Sequence, residues 1–155
     1  MTGTETAIDP VRKSLRVACT PERAFELFTA KIGTWWPTHS HSIGGEQVVG
    51  VVFEGRLGGR IFERHSDGGE GEWGQVLEWD APHRFVMSWY PGHDPDESTE
   101  LEVRFEPDGD GARVELEHRG WERRGQRARE MREGYDNGWN SVLEGFVTVV
   151  ASPSA

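Results

Sequence analysis

Two histidines, His39 and His41, lie two residues apart in the stretch TWWPTHSHSIGG, residues 34–45. On an extended backbone both side chains would point to the same face, as in a metal-ligand pair. A zinc site needs a third protein ligand and usually a fourth, and no further Cys or His cluster lies nearby in the sequence. We therefore predict no metal and no cofactor. We interpret the stretch as a polar loop that forms one wall and the entrance of a pocket.

Glu54 lies in a patch of alternating charge around a predicted hairpin, together with Arg56, Arg60 and Glu63. The interpretation we prefer is a set of charge pairs on a solvated face of the hairpin. The alternative is that Glu54 projects inward and acts as an acid or a base. The chain has no G-x-S-x-G nucleophile elbow, so nucleophilic Ser-His-Asp chemistry is not expected.

His118 and Tyr135 are the candidates for polar contacts to a ligand. The segment 112–120 alternates apolar and polar residues, and Val114, Leu116 and His118 share one face of the predicted strand. A histidine on the core-facing side is either hydrogen-bonded there or directed into a cavity. If the protein is an enzyme, Glu54, His118 and Tyr135 are its candidate catalytic residues.

Aromatic side chains are abundant, with seven tryptophans and seven phenylalanines. A single tryptophan is best explained as part of a solid core, but the excess of rings also suits the walls of an apolar pocket. Trp35 and Trp36 are adjacent, so one should anchor the core and the other should face the pocket; the sequence does not distinguish them. The predicted ligand-binding residues are Trp35, Trp36, Trp73, Trp89, His118, Tyr135, Trp139 and Phe146.

The elements that must position these residues follow from hydrophobic periodicity. A strand around residues 11–19 precedes a short helix capped by Thr20, and a second short helix ends near Trp36 because Pro37 follows. Six segments with period-two alternation lie between residues 48 and 120, separated by Gly, Pro and Asp clusters, and predict six antiparallel strands. A stripe of apolar residues at helical spacing predicts a long helix over about residues 129–150.

A second stripe on the long helix consists of small residues: Gly134, Gly138, Ser141 and Gly145. Each glycine inside a helix costs about 1 kcal/mol relative to alanine. We expect this face either to let another backbone approach or to leave room beside the helix.

Composition limits the classes of partner. The net charge is −10, which disfavours nucleic acids and anionic membrane surfaces. The single cysteine, Cys19, cannot form an internal disulfide, and the chain lacks the features of an export signal or a membrane span. We predict a cytoplasmic protein with a single domain over residues 1–155 and a core over about residues 11–150.

Several motifs in order resemble one superfamily: IGTWWPTHSHSIGG, VVFEGRLGGRIFER, WGQVLEWDAPHRFVMSWYPG, RVELEHRGWERRG and YDNGWNSVLEGF. They are similar to the activator of Hsp90 ATPase homologue branch of the START-like, polyketide-cyclase-related (SRPBCC) superfamily. The resemblance implies an α+β helix-grip fold, in which a curved antiparallel sheet wraps around a long C-terminal helix, with two short helices after the first strand.

The resemblance also implies function through a cavity under the long helix. The role we prefer is a small-molecule-binding protein for a hydrophobic or aromatic ligand, without turnover. The alternatives are a cyclase- or aromatase-like enzyme acting on a polyketide-like substrate, and a co-chaperone-like activator of an ATPase. A homodimer and a chaperone partner are compatible with the chain, and the identity of the ligand stays open.

Overall fold

A computed structural model of the chain describes residues 8–151, and residues 1–7 and 152–155 of the predicted domain lie outside the described part. The strands are β1 (Val11–Val17), β2 (Val48–Phe53), β3 (Arg60–His65), β4 (Glu70–Asp80), β5 (Arg84–Trp89), β6 (Thr99–Asp108) and β7 (Gly111–Arg119). The α-helices are α1 (Pro21–Phe28) and α2 (Ala128–Ala151), and 3₁₀ helices form at Ile32–Thr34, Gly45–Gln47, Pro95–Glu97 and Trp121–Arg127.

The helix α1 begins where the sequence predicts. Thr20 has extended backbone angles, and its Oγ1 accepts a hydrogen bond from the Arg23 N–H at 3.1 Å, which caps the helix. Phe25 and Phe28 are both buried, so the apolar face of α1 packs onto the core. The second predicted helix is only the 3₁₀ turn Ile32–Thr34, because glycine disfavours a longer helix and Pro37 prevents its continuation.

All six strands predicted after residue 48 are present, and with β1 they form a seven-stranded antiparallel sheet. The strand order is β1-β7-β6-β5-β4-β3-β2. Register shifts occur in the pairs β2–β3, β3–β4 and β4–β5. Such bulges bend strands and increase their twist, so they help the sheet to curl.

The curled sheet surrounds α2, a helix of 24 residues. Its buried side chains include Trp139, Val142 and Phe146, which belong to the apolar stripe seen in the sequence. This arrangement is the predicted helix-grip fold. None of the helices formed by residues 8–151 combines the length and the apolar character needed to cross a membrane.

Phenylalanines fill one part of the space between the helices and the sheet. The Phe28 ring lies 5.2 Å from that of Phe146, and the Phe25 ring lies 5.2 Å from that of Phe105. Phe85 packs against the Phe25 and Phe28 rings. This region is therefore a solid core.

Candidate functional site: a cavity beneath the long helix

A cavity of about 630 Å³ lies between α2, the concave face of the sheet and the loop that follows Trp36. This volume is within the range typical of small-molecule sites. The residues that line it are Trp36, Ser40, His41, Ser42, Ile43, Trp73, Trp89, Pro91, Gly92, His93, Met131, Gly134, Tyr135, Gly138, Trp139 and Val142. The lining includes five of the eight predicted ligand-binding residues: Trp36, Trp73, Trp89, Tyr135 and Trp139.

Four tryptophan rings pack against one another along the wall. The Trp36 ring lies 4.9 Å from that of Trp73, 5.9 Å from that of Trp89 and 5.7 Å from that of Trp139, measured between centroids. Each of the four indole N–H groups donates a hydrogen bond. Trp36 donates to the His41 carbonyl, Trp73 to the Glu63 carboxylate, Trp89 to Tyr135 Oη and Trp139 to His118 Nδ1. The rings are therefore fixed in orientation before any ligand arrives.

The adjacent tryptophans have different roles, as the sequence predicts. The Trp35 indole N–H donates to the Leu27 carbonyl at 2.7 Å, and its ring packs on Phe28 and Phe146. Trp36 lines the cavity. Trp35 anchors the loop in the core, and neither Trp35 nor Phe146 reaches the cavity wall, because both lie in the solid part of the core.

His118 is also absent from the cavity wall, although it has the predicted inward orientation and is 0% exposed. Its Nδ1 accepts from the Trp139 indole N–H at 3.0 Å, so the ring proton must be on Nε2, which donates to Thr99 Oγ1 at 2.7 Å. Burial, with a smaller effect from the Arg124 charge, lowers the pKa of His118 well below its ordinary value. His118 is a neutral support behind Trp139, and both of its ring nitrogens are occupied.

Glu54 is not part of the cavity wall either. Its carboxylate accepts the backbone N–H of Arg60 at 2.8 Å and lies 3.4 Å from the Arg56 guanidinium. These contacts stabilise the connection between β2 and β3. Glu54 therefore belongs to the charge-paired hairpin rather than to an inward acid–base site.

Glu63, which we placed on a solvated face, is instead completely buried. Its carboxylate accepts the backbone N–H groups of Ile43 and Gly44, the Trp73 indole N–H at 2.7 Å and the His65 Nε2–H at 2.6 Å. Burial acts to raise the pKa of Glu63, but these four hydrogen bonds outweigh it and hold the pKa below its usual value.

Glu63 therefore ties the loop containing His41 and Ile43 to the sheet and fixes Trp73 at the same time. One signal in the sequence could have located it. Glu63 has the same parity as Ile61 on β3, and Ile61 faces the core.

Polar groups also line the cavity. Ser40, His41 and Ser42 belong to the stretch 34–45 that the sequence predicts as a pocket wall, and Tyr135 was a predicted polar contact, whereas His93 was not singled out. His41 and His93 lie in loops, where no periodicity indicates which way a side chain points. Among the described residues that line the cavity, none is Lys, Arg, Asp or Glu.

The small-residue face of α2 fulfils both expectations, at different positions. At Gly145 a Cβ atom would lie 2.5 Å from the Trp35 carbonyl oxygen, so the backbones approach closely there. At Gly138 the nearest atoms belong to the His41 ring at 3.8 Å and 3.9 Å, and at Gly134 nothing lies within 4 Å. Gly134 and Gly138 border the cavity, so they leave room for it beside the helix.

Within residues 8–151, no group of three or more His, Cys, Asp or Glu side chains is placed to hold a metal ion. The side chains that line the cavity include aromatic rings, hydroxyls and histidines.

A curled antiparallel sheet around a long C-terminal helix, with a cavity between them, defines a helix-grip protein of the START-like (SRPBCC) class. Residues 18–151 match the model of the family described as "Activator of Hsp90 ATPase homolog 1-like protein". This chain belongs to that family. No curated protein sequence matches the chain significantly.

Solved structures agree with this assignment. The chain is 40% identical to the anthrahydroquino-gamma-pyrone synthase Txn09, with 84% of this chain and 89% of that chain covered and a TM-score of 0.58. It is 30% identical to the self-sacrificing resistance protein CalC from Micromonospora echinospora, with 92% and 94% covered and a TM-score of 0.68. The Aha1 dimer from Colwellia psychrerythraea, 14% identical over 92% of this chain and 96% of that chain with a TM-score of 0.67, shares the fold.

Proposed function

We propose that this protein binds an uncharged, planar aromatic small molecule in the cavity beneath α2. The observation that carries the proposal is the wall of four tryptophan rings, each held by a hydrogen bond from its indole N–H. Fixed side chains lose little conformational entropy on binding. Ring faces and edges favour stacked and edge-on contacts with a flat aromatic ligand.

The relatives support a ligand of this kind. Txn09 is a synthase whose name denotes a fused-ring aromatic compound. The family name describes a different role, at a chaperone, and does not account for an aromatic cavity. The absence of charged side chains among the described lining residues favours a neutral ligand over a fatty acid, whose carboxylate would lack a partner.

The binding test uses two probes, anthraquinone and palmitate, with quenching of tryptophan fluorescence and calorimetry as readouts. Gly134→Leu places a side chain in the cavity at a position where nothing lies within 4 Å of the new Cβ. Asn137→Leu adds the same side chain to an exposed position of α2 outside the lining and is the matched control.

We expect wild type and Asn137→Leu to bind anthraquinone more tightly than palmitate. Gly134→Leu should bind anthraquinone roughly tenfold or more weakly, because the leucine side chain would take up space that the ligand needs. A tenfold loss corresponds to about 1.4 kcal/mol of binding free energy. Failure of anthraquinone to bind wild type, or equal weakening by both substitutions, would refute the proposal.

A second candidate is a cyclase-like enzyme that uses the same cavity. It is favoured by the hydroxyl of Tyr135 at the wall and by the word "synthase" in the name of a 40% identical relative. The assay is conversion of a poly-β-ketone thioester analogue, followed by mass spectrometry. Multiple turnovers that Tyr135→Phe abolishes would support an enzyme, whereas binding without conversion leaves the protein as a ligand carrier.

The family name also suggests a chaperone partner, which would use the outer surface, and a relative forms a dimer. Pull-down of a chaperone at physiological salt, lost after reversal of surface charges and retained in Gly134→Leu, would establish a surface role. Sedimentation analysis would establish self-association.

A further inference from the structure

His41 occupies a sharply defined turn at the cavity wall. Its backbone N–H donates to the Pro37 carbonyl at 2.9 Å, and its carbonyl accepts the Trp36 indole N–H at 2.7 Å. Its ring Nδ1 lies 2.8 Å from Ser40 Oγ, which in turn lies 3.4 Å from the Pro37 carbonyl oxygen. Backbone and ring are thus both held in position.

The contact between Ser40 Oγ and Nδ1 allows two tautomers of the His41 ring, and one of them leaves Nε2 unprotonated. When Nδ1–H donates to Ser40 Oγ and the Ser40 hydroxyl donates to Pro37, both polar hydrogens have an acceptor. Nε2 is then an unprotonated nitrogen with a free lone pair. Among residues 8–151 the structure shows no hydrogen-bond partner for Nε2.

The opposite helix has no side chain at the position that faces this edge of the ring. Gly138 of α2 faces the ring, and the position of a Cβ on Gly138 would lie 3.8 Å from Cδ2 and 3.9 Å from Nε2. Any larger side chain would fill the space in front of Nε2. Both His41 and Gly138 line the cavity, so a ligand in the cavity can contact the His41 ring.

Tyr135 gives the cavity a second polar group, one helical turn before Gly138. Its Oη accepts the Trp89 indole N–H at 3.2 Å, which leaves its own hydroxyl proton available. With Nδ1 protonated, the wall offers an acceptor at His41 and a donor at Tyr135, between apolar rings.

We propose that His41 is the acid–base and specificity-determining residue of this cavity, and that it selects aromatic ligands bearing an acidic hydroxyl, such as a phenol or an enol. This inference rests on the proposed function, that the cavity binds a neutral aromatic molecule. In the proton transfer, the ligand O–H bond breaks, its electron pair stays on the oxygen and the proton bonds to Nε2. The products are a ligand oxyanion and an imidazolium ion in contact, so the cavity stays neutral overall.

The test compares 2-hydroxyanthraquinone with anthraquinone, which has the same rings without the hydroxyl. The variants are His41→Gln, Ser40→Ala, His93→Gln and His39→Gln. His39 is exposed and lies outside the cavity lining, so His39→Gln is the matched control. Ser40→Ala removes the partner of Nδ1 while Nε2 stays in place, so it reports on orientation even if His41→Gln unfolds the loop.

Wild type and His39→Gln should bind the hydroxylated probe roughly five- to tenfold more tightly than anthraquinone, the effect of one net hydrogen bond. The absorption band of the ionised probe should grow on binding at a pH where the free probe is neutral. His41→Gln should lose both effects, Ser40→Ala should reduce them, and all variants should still bind anthraquinone.

Two outcomes would overturn the inference and leave the proposed function intact. One is an unchanged hydroxyl preference in His41→Gln, and the other is a preference that His93→Gln removes while His41→Gln keeps it. If wild type binds neither probe, both the inference and the proposed function fail.

Discussion

The glycines of α2 give a quantitative test of how the helix sits against the loop and the cavity. Replacement of a glycine by alanine inside a helix raises the free energy of unfolding by about 1 kcal/mol when the new methyl group has space. Space differs sharply along this face. The new Cβ would meet nothing within 4 Å at position 134, the His41 ring at 3.8 Å at position 138 and the Trp35 carbonyl oxygen at 2.5 Å at position 145.

We therefore expect opposite signs within one series of substitutions. Gly134→Ala and Gly138→Ala should raise the free energy of unfolding by about 0.5–1 kcal/mol. In Gly145→Ala the backbone of Trp35 or of α2 must move, and such overpacking costs about 1–3 kcal/mol. After the gain of about 1 kcal/mol in helix propensity, Gly145→Ala should be up to about 2 kcal/mol less stable than wild type.

The assay is urea unfolding followed by circular dichroism, with thermal unfolding as a second measure. A difference of 2 kcal/mol between Gly134→Ala and Gly145→Ala corresponds to about 4–8 °C in Tm for a chain of this size. If all three variants gain the same stability, the close approach of α2 to Trp35 does not exist and the reasoning is refuted.

Three further substitutions test other parts of the structure. Glu63→Gln should destabilise by about 2–4 kcal/mol in urea unfolding, because an amide cannot accept all four hydrogen bonds of the buried carboxylate; a loss below 0.5 kcal/mol would contradict this role. Burial opposes the ionisation of Glu102, but its hydrogen bonds to Arg119, Arg104 and Arg84 lower its pKa to about 2. Ionised Glu102 should therefore stabilise the folded state by about 3 kcal/mol above pH 5, and this contribution should be lost as the pH falls toward 2. Glu102→Gln should lower the free energy of unfolding at pH 7 and change it little at pH 2. Nε and Nη1 of Arg124 are buried without a hydrogen-bond partner among the described residues, so Arg124→Met should stabilise by about 1 kcal/mol; destabilisation would indicate an unrecognised contact.

Periodicity predicted the strands and α2 because each of these elements has one face toward the core and one toward solvent. The alternation that ends at His118 correctly placed that side chain inside. The alternation shows only which face of the sheet a side chain lies on. It does not show whether an inward side chain packs against another residue or borders a cavity. Trp139 covers His118, and this depends on packing between α2 and β7 that a single strand does not encode.

The polar part of the site was harder to predict, for two physical reasons. His41 and His93 lie in irregular segments whose conformation depends on distant contacts, such as the hydrogen bonds from the Ile43 and Gly44 N–H groups to Glu63. Glu63 itself was assigned to a solvated face because charge pairs on exposed hairpins are common. Its partners are backbone and indole N–H groups, and nothing in the spacing of the sequence marks them.

The central claim, that an aromatic ligand binds among the rings beneath α2, is tested most directly through the tryptophan indole N–H signals in a ¹⁵N NMR titration. The seven tryptophans form two groups. The first group lines the cavity and consists of Trp36, Trp73, Trp89 and Trp139; the second group does not line it and consists of Trp35, Trp79 and Trp121. Addition of anthraquinone should shift or broaden the signals of the first group and leave the second nearly unchanged. Equal changes in both groups, or no change in either, would contradict the claim.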